Sequence, residues 1–117
     1  MKPWIMIALI VLMTVSTDPR AAKAMTGMTG NELLGYCENE DVYSQGLCDG
    51  FIDGAGDGFQ SFALYIGRRL PFCYPEGTTV GQLRRVIVKY LEEHPQDLHY
   101  GAADSAFIAL GDAFPCD

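Results

Sequence analysis

The sequence predicts an all-α fold, a small bundle of four to five helices stapled by two disulfides. Three observations carry that reading. Apolar residues recur at helical spacing in several separate segments, and no stretch of strand length alternates apolar and polar residues between hairpin turns. Two Thr-x-x-Glu/Gln capping boxes, at Thr29 and Thr79, mark helix starts. Four cysteines, Cys37, Cys48, Cys73 and Cys116, form an even set in a small chain with export signals, and such chains use disulfides because their cores bury too little surface.

Export is read from the first residues. Met1-Lys2-Pro3 supplies a positive start, Trp4 to Val15 is apolar apart from Thr14, and Ala22-Lys23-Ala24 offers a small-x-small cleavage site. Residues 1–24 are therefore expected to be a cleaved secretory signal peptide, and 25–117 a single domain. The apolar run is too short to cross roughly 30 Å of hydrocarbon, and no cysteine lies near the cleavage site to take a lipid. No membrane attachment is expected after cleavage, and the mature chain is expected to be an exported, soluble protein.

Of the 117 residues, 49% are hydrophobic and 20% charged, which places the chain among ordinary globular proteins rather than disordered ones. The formal charge is −7, and removal of Lys2, Asp18, Arg20 and Lys23 with the signal takes it to −9. A surplus of carboxylates excludes the clustered cations that nucleic-acid binding needs.

The first predicted helix opens at Thr29 and carries Leu33, Leu34 and Cys37 on one side before the polar stretch from Glu38 to Asp41 closes it. The longest helix runs from about Tyr43 to Tyr65, with Leu47, Phe51, Ile52, Ala55, Phe59, Phe62 and Ala63 as its apolar face. Gly46, Gly50, Gly54 and Gly58 recur along it every four residues. Each costs roughly 0.5–1 kcal/mol against alanine, so close packing of another helix or chain on this ridge is expected to compensate. The alternative is a bent or broken segment. From Gly67 to Thr79 two prolines and two glycines break the helix.

The Thr79 box then starts a helix with Val80, Leu83, Val86, Ile87, Tyr90 and Leu91 on one stripe and Arg84, Arg85 and Lys89 on another. His94-Pro95 ends it, and a histidine there suits the carbonyl end of a helix better than catalysis. After the polar connection from Gln96 to Gly101, Ala102, Ala103, Ala106, Phe107, Leu110 and Phe114 describe the last helix, which Pro115 stops. The four cysteines allow three pairings. Cys37 with Cys48 would staple the first two helices into a hairpin, leaving Cys73 in the proline-rich loop for Cys116 at the chain end.

No catalytic constellation emerges. Ser44, Ser61 and Ser105 lie in no nucleophile motif, there is no C-x-x-C pair for zinc or redox chemistry, and neither histidine stands beside a candidate nucleophile in the sequence. Asp49, Asp53 and Asp57 line one helical stripe, but the segment lacks the third-position ligand and terminal glutamate of a calcium loop. An acidic solvated face, one member of which caps a helix or pairs with an arginine, is the simpler reading. No enzyme activity, metal or cofactor is expected. Arg68 and Arg69 sit in the loop beside Leu70, Phe72 and Tyr74. Either Arg68, Arg69, Phe72 and Tyr74 recognise a partner, or they cover the end of the core.

The motifs have a family likeness. Asn31-Glu32-Leu33-Leu34 with Cys37 is followed by Cys48-x-Gly50-Phe51-Ile52-x-Gly54-x-x-Asp57 and by Cys73-x-Pro75-Glu76-Gly77-x-Thr79-x-Gly81-Gln82. Tyr90-Leu91-Glu92-x-His94-Pro95 and Ala109-Leu110-x-x-Ala113-Phe114-Pro115-Cys116 complete the series. In order, spacing and cysteines this resembles the Rap/Tai family of periplasmic immunity proteins, which neutralise type VI secreted peptidoglycan amidases. The resemblance implies a helical, disulfide-containing protein, commonly a homodimer, that binds an amidase toxin and blocks its active-site cleft without catalysis. A small periplasmic acid-stress chaperone, or an orphan protein-binding module, would share export, helices and disulfides and stands as the alternative.

Overall fold

Both capping boxes open helices. In a computed structural model, which describes residues 27–117, α1 (Gly30–Glu38) starts where the Thr29 hydroxyl accepts from the Glu32 N–H at 3.3 Å. The Glu32 carboxylate in turn accepts from the Thr29 N–H at 2.8 Å. The same exchange between Thr79 and Gln82 opens α3 (Val80–Glu93). Between them lies α2 (Val42–Tyr65), capped by Asp41, whose carboxylate accepts from the Ser44 N–H at 2.9 Å. The Ser44 hydroxyl and backbone together hold the Asp41 carboxyl below its ordinary pKa. A short 3-10 turn (Pro95–Asp97) leads to α4 (Ala102–Ala113). Four α-helices and two disulfides, with no named strand among the described residues, make this an all-α bundle. The expected signal peptide, residues 1–24, lies outside the described residues.

Every helix touches every other, and α3 and α4 share the most extensive contact. Leu83, Ile87 and Leu91 recur every four residues along α3 and are buried against Leu33 of α1, Ile52 of α2 and Leu110 of α4. Ala102, Ala106 and Ala109 are buried on α4, and side chains this small let its backbone lie close to its neighbour. Backbone hydrogen bonds fasten the start of the domain to the α3–α4 connection: Gly30 N–H to Tyr100, Asn31 N–H to Leu98, and Ala102 N–H to Met28.

The glycine whose lack of a side chain matters is Gly30, because a Cβ there would meet the Leu98 carbonyl oxygen at 3.1 Å and a Leu91 methyl at 3.2 Å. The glycine ridge of α2 behaves otherwise. A Cβ at Gly46, Gly50, Gly54 or Gly58 would meet nothing within 4 Å, so no other part of the described chain packs on the ridge. Nor is the helix broken, since α2 is continuous from Val42 to Tyr65. Its opposite face supplies the compensation: Cys48 and Ile52 are buried, the Asp41 cap satisfies the first turn, and a disulfide joins Cys48 to Cys37.

Arg84 of α3 ties three helices together. Its guanidinium lies 3.1 Å from the Asp49 carboxylate of α2 and donates at 2.6 Å to the Cys37 carbonyl near the end of α1. A cation at a helix C-terminus also opposes the partial negative charge of the free carbonyls. His94 has a structural place as well, with Nδ1 2.7 Å from the Tyr90 carbonyl and its ring stacked on Tyr90 at 4.0 Å.

Ile87 is completely buried at the centre of α3. Ile87→Ala is expected to lower unfolding free energy by about 2–5 kcal/mol, read from urea denaturation of the mature chain, and an unchanged midpoint would contradict this core assignment.

Candidate partner-binding surface

The longest helix, α2, outlasts everything it packs against. With 24 residues against 14 in α3 and 12 in α4, it is longer by roughly 15 Å or more at 1.5 Å per residue. Its final turn is left uncovered on most sides. Phe62, Leu64 and Tyr65 are 63%, 74% and 88% exposed, and Ile66 is exposed as well. Apolar residues at five consecutive positions, 62–66, cannot all face one core, so burial of Ala63 leaves its neighbours in water.

A left-handed glycine then sets the exit of the chain. Gly67 has φ +66°, its N–H donates to the Leu64 carbonyl at 3.1 Å, and the Arg68 N–H donates to Ala63 at 2.9 Å. This pair of reversed bonds is a Schellman closure, which satisfies two of the last carbonyls of α2 and fixes where Arg68 and Arg69 leave it. Both arginines are exposed, and neither has an ion-pair partner among the described residues.

The loop returns to the core at Phe72. That side chain is 3% exposed and packs edge-on against Phe59 at 6.3 Å and Phe107 at 5.4 Å between ring centres. Phe72 therefore anchors the loop from beneath, and its ring is not presented to solvent. Beyond it the Cys73 N–H donates to the Phe114 carbonyl at 2.8 Å, Phe72 pairs with Pro115, and Cys73 is bonded to Cys116. Tyr74 packs on Phe114 at 5.4 Å but keeps an exposed edge, and partial burial raises its hydroxyl pKa. Of the four loop residues singled out in the sequence, Arg68, Arg69 and Tyr74 reach the surface together and Phe72 supports them.

Two apolar grooves flank the arginine pair. One, of about 190 Å³, runs between the end of α2 and Phe107 of α4, and the other, of about 330 Å³, opens toward Tyr74. Ala63, Arg68, Arg69 and Leu70 line both. Aromatic and arginine side chains in one exposed apolar patch are the composition of binding hot spots. The other sequence candidates do not converge here or on a catalytic arrangement. Asp49 is engaged by Arg84, Asp53 and Asp57 are exposed on α2, and Ser44 and Ser105 are buried in separate helices. Among the described residues no group of three or more His, Cys, Asp or Glu is placed to hold a metal ion.

A family model for Rap1a immunity proteins matches residues 29–116. The chain belongs to the Rap1a immunity protein family. The match runs from the cap of α1 to the last cysteine, so it takes in all four helices, both disulfides and the 66–74 loop. No curated protein and no solved structure matches the chain. Membership of an immunity protein family implies binding to a cognate secreted effector in the role of a non-enzymatic inhibitor.

For a Rap1a protein the exposed end of α2 is the part that the sequence reading missed. Phe62, which its spacing places on the core face, is exposed together with Leu64, Tyr65 and Ile66, and the signal for this surface is the unbroken apolar pentapeptide at the helix end. Phe107, expected on the buried face of α4, likewise lies partly exposed beside the first groove.

Two outcomes follow from this geometry. Gly67→Val forces an L side chain into the left-handed region and is expected to cost about 1–2 kcal/mol, measured as a shift in denaturation midpoint; a neutral effect would mean that the closure at residue 67 is not needed. The two disulfides also differ in access, since Cys73 and Cys116 are exposed while Cys37 and Cys48 are buried. Graded dithiothreitol followed by alkylation and peptide mass mapping is expected to label Cys73 and Cys116 first, with helical circular dichroism retained; labelling of Cys37 and Cys48 first would contradict it.

Proposed function

We propose that this protein is a periplasmic immunity protein that binds and occludes a type VI secreted peptidoglycan amidase effector. The observation that carries the reading is the family match, which spans the whole four-helix, two-disulfide unit rather than one motif. The exposed surface at the end of α2 and the following loop supplies the means, with Arg68, Arg69 and Tyr74 as contacts and Phe72 as their support. A loop closed by a Schellman turn at one end and a disulfide at the other loses little conformational freedom on binding. It can therefore spend its contacts on affinity.

The net charge favours the same reading. An acidic inhibitor attracts a basic effector over distances of roughly a Debye length and raises the rate of encounter. Cleavage after Ala24 would deliver the chain to the compartment where a cell-wall amidase acts. A homodimer is the proposed assembled form, and the outward glycine row of α2 leaves room for a second copy. The immunity reading is preferred to an acid-stress chaperone because the family match names a partner-specific role.

The test is protection. Cells that express the full-length chain, signal included, are challenged with a panel of type VI amidase effectors directed to the periplasm, and growth is scored beside co-purification. Survival with a stable complex is expected for the cognate effector, and lysis with every effector, including one encoded next to this gene, would refute the proposal.

A further inference from the structure

We infer that the two grooves at the end of α2 form one binding element, and that their occupant is an acidic segment of the effector carrying apolar anchors. The inference rests on the immunity reading and adds the chemistry of the contact. It starts from what the grooves lack. Apart from Arg68 and Arg69, the smaller one is lined by apolar residues, among them Phe59, Ala63, Ile66, Leu70 and Phe107, so a polar group seated away from the two guanidiniums would lose its hydration without a partner. Its volume of about 190 Å³ lies below the roughly 300–1,000 Å³ typical of small-molecule sites. An apolar side chain fits both its size and its lining.

Charge supplies the second half of the argument. Arg68 and Arg69 line both grooves, and they bear exposed cations to which no described carboxylate is paired. Elsewhere in the described chain Arg84 is held by Asp49 and Lys89 lies 3.8 Å from Glu93, while Arg85, exposed on α3 and also without an ion pair, lines neither groove. A segment crossing from one groove to the other must pass these two guanidiniums, each able to donate two parallel N–H bonds to a carboxylate. The rest of the chain repels such a segment, since carboxylates outnumber cations after residue 24 by fourteen to five. An acidic strand is thus steered to this element by exclusion from the remaining surface, while a basic or neutral strand gains nothing from the arginines.

The experiment uses the mature chain and the same effector panel, with a photo-crosslinking benzoylphenylalanine in place of the exposed Phe62, and reads the adducted effector peptide by mass spectrometry. Binding is measured in parallel by calorimetry for Ile66→Asp, for the double variant Arg68→Glu/Arg69→Glu and for Tyr100→Ser, a substitution at an exposed site in the α3–α4 connection. Each variant is first checked for helical content. The expected result is an adduct peptide with Asp or Glu within two residues of a large apolar residue. Affinity should fall roughly tenfold or more for Ile66→Asp and for the double variant, and stay unchanged for Tyr100→Ser. A complex that gives a basic adduct peptide, or that tolerates the groove and arginine substitutions, overturns the inference and leaves the immunity reading standing. Absence of any complex across the panel removes the immunity reading and this inference with it.

Discussion

Phe72 is the one side chain between Gly67 and Thr79 that the core fully accepts, and the shape of the loop that follows α2 depends on its burial. Its ring fills the space between Phe59 of α2 and Phe107 of α4, and it is followed directly by a cysteine bonded to the chain end. Burial of one aromatic ring supplies a favourable term of roughly 1.5–3 kcal/mol, and the adjoining disulfide reduces the freedom of the unfolded loop. Together they give an irregular, proline-broken segment the rigidity of a secondary-structure element. The arginines ahead of Phe72 and the tyrosine behind it are held at the surface because Phe72 is not.

The long helix divides into two parts with different work. Its first half is structural: Cys48 and Ile52 are buried, Asp49 receives Arg84, and Cys37 is joined to it through sulfur. Its second half outlasts the shorter helices, so apolar residues that would be core in a bundle of equal helices become surface. The four glycines run along the outer side through both parts. They cost helix propensity and return no packing within the described chain, so their helix stands on its cap, its disulfide and its buried face.

The electrostatics follow the same division. Arg84 works inside the fold, where it meets a carboxylate and a helix-end carbonyl at once. Among the described residues Arg68 and Arg69 have no ion-pair partner, on a chain that is acidic overall. A long-range field that attracts basic proteins and a local cationic spot that selects a carboxylate are compatible, because the first acts over the Debye length and the second only at contact. In an inhibitor, the first speeds encounter and the second fixes orientation.

How much of this was legible in the sequence depends on the range of the interaction concerned. Capping boxes at Thr29 and Thr79, the amphipathic stripe of α3 and the stop at His94-Pro95 are local, and each appears where the residues place it. The quoted motifs also carried the family, which needs order and spacing but no coordinates. Of the three disulfide pairings that four cysteines allow, the structure has the one that staples the α1–α2 hairpin, Cys37 with Cys48 and Cys73 with Cys116. The second bond is not fixed locally, because Cys73 meets Cys116 only when α4 returns its end to the loop. Whether a helix of this chain covers the glycine ridge is not legible, since spacing says which residues share a face and not what lies against it, and none does among the described residues. For the same reason Phe62, which its spacing places on the core face, lies at the surface, and of the two readings open for Phe72 it is the core one that the structure shows. The sequence by itself determined the helices, their caps and the kinship; tertiary structure decided which apolar residues are core and which are surface, because burial depends on the relative lengths and packing of elements far apart in the chain.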